Sequence, residues 1–335
     1  MVIFNRLKKT RNTKRRKKDC GLEKLNLSIV IPVYNSQNTI KTTVEKTIAA
    51  LDKYERVSEY EIVLVNDGSK DDSNKVCEKL AERSNICYVN FTKNFGQHHA
   101  LLCGYKETSG DIVVKVDDDL QILPEEIPKM VEVLIEREAD VAFAKYSNKK
   151  HSAFRNWGSK LNNTMARVLL NKPKGVLVSN FYIMRDYVVK NIVTYTNPYP
   201  YIAGLIFKVT DNIINVEVKH AERKEGKSNY TLKKLIKLWL NGFVNFSVKP
   251  LRVATILGLV LSLLGFIFLV VLIIQRILNS DVQLGWTSIM ATVVFFGGIQ
   301  LISMGLLGEY IGRIFISINK FPQYVVKEKR DGRKK

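Results

Sequence analysis

Three consecutive carboxylates, Asp117, Asp118 and Asp119, end the apolar run DIVVKV. In extended chain, residues i and i+2 share a face about 6.6 Å apart, so Asp117 and Asp119 can converge while Asp118 points away. Adjacent carboxylates repel unless a cation is present, and hard oxygen ligands suit Mg²⁺ or Mn²⁺ bridging a diphosphate. The plainer alternative is an acidic helix entry, because LPEEIPKMVEVLIERE follows with Pro124 near its first turn. Two other apolar runs end in polar motifs, Pro32-Val33-Tyr34-Asn35 and Asn66-Asp67-Gly68-Ser69. Gly68 allows a tight turn, and Asp67 can accept hydrogen bonds from a base or ribose edge; alone, each motif is an ordinary turn. In NFGQHHALLCGY, His98 and His99 open a predicted helix, and adjacent histidines suit positioning better than shared metal ligation. HAERKEGKSNY sets Arg223, Lys224 and Lys227 around Gly226, a basic loop able to close over a phosphate or simply to lie exposed. There is no GxxxxGK[ST] and no GxGxxG, which excludes a P-loop kinase and a Rossmann dinucleotide site.

The elements that must position these residues are legible around them. LSIVIPVYN, EIVLVNDGS and DIVVKV read as strands buried on both faces. TIKTTVEKTIAALDKY and DDSNKVCEKLAERS read as the intervening helices. The β-α-β-α-β order predicts an α/β fold with a parallel sheet and right-handed crossovers. Ligands of such sheets sit beyond the carboxyl ends of the strands, where all three polar motifs fall.

Beyond residue 250 the composition changes. Val253–Ile274 is 22 residues without a charge and Val282–Gly308 is 27 more. Each exceeds the roughly 20 residues a helix needs to cross a bilayer, so a two-helix hairpin is expected; the alternative, two buried helices, would need a large core around them. Basic flanks (Lys233, Lys234, Lys237, Lys249, Arg252, then Arg313 and KEKRDGRKK) put both termini and residues 1–250 on the cytoplasmic side of the inner membrane. Leu235, Ile236, Leu238, Trp239, Phe243 and Phe246 mix with lysines as in an interfacial helix, and Phe154, Trp157, Leu161, Met165 and Val168 form a second amphipathic stretch; either could instead face a core. The formal charge of +20 sits mostly at the ends: residues 1–18 hold nine basic residues and no acidic one, residues 320–335 seven and two. That placement predicts contact with anionic lipids and argues against a nucleic-acid binder. Cys20, Cys77, Cys87 and Cys103 form no CxxC pair and read as reduced structural thiols. Gly297, Gly298 and Gly305 would allow helix packing in a homo-oligomer.

Taken in order, SIVIPVYN, VNDGSKDDS, TKNFGQHHALLCGY, SGDIVVKVDDDLQ-LPEEIP and R-x-x-G-x-SNY, followed by the paired apolar segments, resemble the family 2 glycosyltransferases of GT-A fold over residues 27–310. In particular they resemble the polyprenyl-phosphate glycosyltransferases, such as the bactoprenol glucosyltransferases and the aminoarabinose transferases. The resemblance implies a GT-A, Rossmann-like, mostly parallel sheet flanked by helices, then interfacial helices and a transmembrane hairpin. It implies that Pro32, Tyr34, Asn35 and Asp67 hold the nucleoside of an activated sugar. Asp117 and Asp119 match the metal motif, with Gln121 in the same loop, and Arg223, Lys227 and Ser228 match a loop closing on a diphosphate or acceptor phosphate. Three departures stand out. Ser36 occupies a position that often holds glutamate; Asn180 and Tyr182 replace the Asp and Arg of a GDFR-like motif, so a carboxylate base is missing there; and no QxxRW motif is present, which argues against a processive polysaccharide synthase.

The expected organisation is a basic tail over 1–24, a GT-A domain over 25–230, a juxtamembrane helix over 231–250, two membrane helices over 251–310 and a basic cytoplasmic tail over 311–335. The expected reaction is inverting transfer from a nucleotide sugar, UDP-linked by resemblance, to a polyprenyl phosphate, with Mg²⁺ or Mn²⁺. Another lipid or glycan acceptor, or a non-catalytic nucleotide-sugar binder, are the alternatives.

Overall fold

A computed structural model describes residues 24–120, 122–146, 172–219, 249–278, 285–319 and 322–334. Strands β1 (Leu25–Val33), β2 (Val57–Asn66), β3 (Ile86–Phe91) and β4 (Ile112–Lys115) alternate with helices α1 (Ile40–Asp52), α2 (Ser73–Leu80) and α3 (Gln97–Lys106). Then come α4 (Ile127–Glu136), β5 (Val141–Tyr146), β6 (Tyr182–Arg185), α5 (Asp186–Ile192), α6 (Ile202–Val209) and β7 (Ile213–Val218). Two long helices, α7 (Lys249–Leu278) and α8 (Trp286–Ile318), precede a last strand, β8 (Val326–Asp331).

The strands form one sheet in the order β7-β5-β6-β4-β1-β2-β3-β8. The β4-β1-β2-β3 centre is parallel, as the helical crossovers require. β6 pairs antiparallel with both β4 and β5, and β5 pairs parallel with β7. Alternate residues of β1 serve two cores. Leu27, Ile29, Ile31 and Val33 join Ile40, Val44, Met130 and Leu134 of α1 and α4 on one face. Val30 joins Leu102, Tyr105 and Ile206 of α3 and α6 on the other. Fully burying a Val, Leu or Ile is worth about 1.5–3 kcal/mol, so this two-sided sandwich makes the strand ends a rigid rim. The cysteines agree with the thiol reading: Cys77, Cys87 and Cys103 are buried and free, and burial pushes their thiols up to about 12, 11 and 12.

The expected basic C-terminal tail is corrected by β8. Residues 326–331 pair antiparallel with β3 and extend the sheet. Arg333 fastens the end: it ion-pairs with Glu61, bonds Asp331 at 2.7 Å and donates to the Glu107 carbonyl at 2.7 Å. The Tyr324 ring stacks on Phe91 at 5.0 Å. After α8 the chain therefore returns to the sheet. The base of α8 meets the α5–α6 loop, where Ser317 Oγ donates to Asn197 Oδ1 at 2.8 Å and the Arg313 guanidinium lies 5.3 Å from the Tyr199 ring centre.

Along α7 and α8 large apolar side chains face outward, with Leu259 72% and Ile302 74% exposed. Among the described residues, Phe295–Ile318 is long and apolar enough to cross a membrane. Residues 1–23, the amphipathic stretch 153–169 and the juxtamembrane segment 231–248 lie outside the described residues.

Candidate active site at the strand ends

Because β1, β2 and β4 run parallel, their carboxyl ends bring the three polar motifs to one rim. After β1 the chain turns at Asn35, whose φ of 54° is left-handed, a conformation asparagine tolerates. The β2 loop holds this turn: Asn35 N–H donates to Ser69 Oγ at 2.9 Å, Lys70 N–H donates to Asn35 Oδ1 at 2.9 Å, and Ser36 N–H donates to Ser73 Oγ at 2.8 Å. Buried Asn66 underpins the loop by accepting the Ser69 hydroxyl at 2.5 Å and donating to Asn90 Oδ1 at 3.0 Å. The Tyr34 ring stands 45% exposed at the rim.

Asp67 is 3% exposed and grips the next loop with both oxygens. Phe95 N–H donates to Oδ1 at 2.7 Å and Gly96 N–H to Oδ2 at 2.9 Å. Burial raises its carboxyl above the ordinary value, and the two amides and His99 oppose that shift. Gly68 beside it has φ +63°, and a Cβ there would lie 2.3 Å from the Lys93 carbonyl carbon, so glycine alone fits between the two loops. In this structure Asp67 organises the rim.

The acidic triplet divides its tasks. Asp117 Oδ1 pairs with the ammonium of Lys115, a strand residue only 1% exposed, and accepts Gln97 Nε2 at 3.0 Å. Asp118 meets different partners from those of Asp117. The chain bends at 118–120, with Leu120 at φ 59°, and Asp118 Oδ2 accepts Tyr34 N–H at 3.1 Å and the Ser36 hydroxyl. Burial pushes the Asp118 carboxyl up to about 6, with Asp117 adding to the shift and the Ser36 and Tyr34 donors opposing it. Asp119 follows in the same bend. Asn180 is exposed, and pairing of Lys115 with Tyr182 sets the chain before β6 alongside Val116–Asp117. Pro32 lies within β1, paired with Val65. Gln121, Arg223, Lys227 and Ser228 lie outside the described residues.

The family 2 glycosyl transferase model matches residues 28–193, and that of the GtrB C-terminal hairpin matches 249–314. A Proteus mirabilis protein named undecaprenyl-phosphate 4-deoxy-4-formamido-L-arabinose transferase is 34% identical over 91% of this chain and 94% of its own length. The chain belongs to glycosyltransferase family 2. An Edwardsiella ictaluri protein of the same name is 37% identical to this glycosyltransferase over 90% of the chain and 93% of its own length. Among solved structures, glucosyl-3-phosphoglycerate synthase of Mycobacterium tuberculosis with UDP is similar at TM-score 0.45 and 21% identity, over 64% of this chain and 77% of that one.

Two residues of this glycosyltransferase's rim, Lys115 and Gln97, do not stand out in the sequence. Lys115 reads as a stray charge in an apolar strand, although period-two spacing puts it on the face of Asp117. Gln97 stood beside the more conspicuous histidines. His98 Nδ1 is buried with no partner among the described residues, its ring edge-on to Tyr201 at 5.2 Å, and burial lowers its pKa to about 4. His99 Nε2 lies 3.0 Å from the Pro198 carbonyl. Both are used in packing the α3 start against the α5–α6 loop.

Proposed function

We propose that this glycosyltransferase moves a glycosyl group from a nucleotide sugar, UDP-linked by resemblance, to undecaprenyl or another polyprenyl phosphate at the cytoplasmic face of the inner membrane. The observation that carries the reading is the joining of the strand-end rim to a long apolar helix. The sheet bearing Tyr34, Asp67 and Asp117 also receives β8, the strand that comes after α8 in chain order. A polyprenyl phosphate keeps its tail in lipid and presents its headgroup, so a catalytic rim must be held near the bilayer surface. The relatives' printed name, which specifies undecaprenyl phosphate, supports that acceptor.

In the proposed step an acceptor phosphate oxygen attacks the anomeric carbon from the face opposite the nucleotide. The C–O bond to the nucleoside diphosphate breaks as the new one forms, with inversion. A phosphate monoester is already anionic near neutrality, so no strong base is needed, and the neutral Asn180 beside the acidic strand end is tolerable. Pro32, Tyr34 and Asn35 would line the nucleoside subsite, with Asp67 holding its far wall. Gln121, Arg223, Lys227 and Ser228 would meet the diphosphate or the acceptor phosphate.

Asp117 and Asp119 fit Mg²⁺ or Mn²⁺ chemically. They are hard oxygen donors, and Asp117 uses only Oδ1 toward Lys115 and Gln97. No group of three or more His, Cys, Asp or Glu side chains suited to a metal occurs among the described residues, so substrate phosphates would have to complete the ligand set, as Mg²⁺ favours. When bound, the cation would supply neutralising charge to the departing diphosphate. Lys115 would hold Asp117 in position meanwhile.

The reading is tested by following UDP release from UDP-sugars in vesicles containing polyprenyl phosphate, polyprenol or diacylglycerol. Release only with the phosphorylated lipid is expected. Equal release with diacylglycerol, or release that needs a glycan, would move the activity to the other acceptor class. Asp119→Asn should lower kcat by about 10²-fold or more, the scale for losing a group that stabilises developing charge, while leaving the melting temperature within a few degrees.

A further inference from the structure

We propose that Asp118, the middle carboxylate of the triplet, is a positioning residue that couples the acidic loop to the Tyr34–Ser36 turn and so sets the affinity for the donor. The inference rests on the reading that the nucleotide sugar binds at this rim.

The Tyr34–Ser36 turn is held from two sides. From β2, Ser69, Lys70 and Ser73 hold Asn35 and Ser36. From β4, Asp118 Oδ2 takes both the Tyr34 amide and the Ser36 hydroxyl. The second link is less local, because 82 residues separate Ser36 from Asp118. It also sits where backbone freedom has been restricted. Asn35 at φ 54° lies between the two residues Asp118 binds, and Leu120 at φ 59° lies two residues beyond it. Left-handed Leu is disfavoured by roughly 1–2 kcal/mol, so the bend needs contacts to hold it. The contacts from Asp118 supply that hold, and they spend one oxygen of this carboxylate on the turn.

Ser36 and Asp118 are matched in chemistry. A hydroxyl at 36 donates to a carboxylate at 118; a carboxylate at both positions would repel. Asp118 thus differs in role from its neighbours. Asp117 Oδ1 meets Lys115 and Gln97, whereas Asp118 Oδ2 meets the Tyr34 amide and the Ser36 hydroxyl. An amide oxygen can accept the same two hydrogen bonds, so asparagine should replace Asp118 in this role, which it could not do for a metal ligand.

The experiment compares wild type, Asp118→Ala and Asp118→Asn in lipid vesicles. Donor KM, kcat, the Mn²⁺ activation constant, UDP affinity by calorimetry and amide exchange across residues 33–36 are measured. Loss of two hydrogen bonds in Asp118→Ala should raise donor KM and the UDP Kd about tenfold, with kcat changed less than KM. The Mn²⁺ constant should stay unchanged, and exchange at Tyr34 should accelerate. Asp118→Asn should return all of these to within about threefold of wild type. The proposal is overturned if Asp118→Ala binds UDP like wild type. It is also overturned if Asp118→Asn is as impaired as Asp118→Ala and needs more Mn²⁺, which would make Asp118 a metal ligand. Should wild type turn over no polyprenyl phosphate while Asp118→Ala still weakens UDP binding, the acceptor reading fails and the coupling role stands.

Discussion

Single residues of the rim carry charges that only their neighbours make tolerable. Lys115 is a buried ammonium whose partner is Asp117. Removing one member of a buried ion pair leaves the other uncompensated and typically costs about 3–5 kcal/mol. Lys115→Met should therefore lower the unfolding free energy of the catalytic domain by an amount of that order, measured by urea unfolding with a fluorescence probe. His98 gives a pH dependence of defined sign. Its folded pKa, about 4, lies below the value of about 6.5 in an unfolded chain. The unfolded state therefore binds the extra proton first, and stability is lost as pH falls from 6.5 toward 4, by roughly 3 kcal/mol at most. A His98→Gln variant should show a flatter melting-temperature profile across that window. A profile as steep as the wild type's would place the acid sensitivity elsewhere.

At the scale of elements, the sequence revealed what hydrophobic periodicity controls and concealed what depends on a bend. The parallel β1, β2 and β4 were legible because each is an apolar run closed by turn chemistry, and their common rim followed from topology. The Asp117/Asp119 pairing rests on ideal strand geometry, whereas β4 ends at Lys115 and the chain bends over 118–120. The left-handed Leu120 has no sequence signal, so the turn of Asp118 toward Ser36 was hidden. β8 was hidden for a different reason. VKEKRD has the charged composition of an edge strand, which a linear reading cannot separate from a solvated tail. Its attachment is testable. Arg333 and Glu61 are both largely buried, with side chains 21% and 10% exposed. Arg333→Ala should destabilise the domain by about 3 kcal/mol and lower its melting temperature by several degrees, the low end for such a pair because Arg333 keeps some solvent contact. An unchanged melting temperature would mean that β8 contributes little to the sheet's stability.

For the whole molecule, the decisive arrangement is a polar strand-end rim and an apolar helix pair on one chain. β8 follows α8 in chain order and joins the sheet beside β3, so the sheet is tied to the α8 end of the pair. The base of α8 is pinned by Asn197 and Tyr199 of the α5–α6 loop, which also packs on the start of α3 through His98, His99 and Tyr201. Such a tether suits a reaction between a soluble donor and a lipid whose headgroup alone leaves the bilayer. The most direct test is to incubate the full chain in vesicles with undecaprenyl phosphate, Mg²⁺ or Mn²⁺ and a panel of nucleotide sugars labelled in the glycosyl group, then extract the lipid. Label from one donor should enter the organic phase as a polyprenyl monophosphate sugar of inverted anomeric configuration, and Asp119→Asn should abolish it. Label that stays in the aqueous phase for every donor, while nucleotide still binds, would contradict transfer to a polyprenyl phosphate.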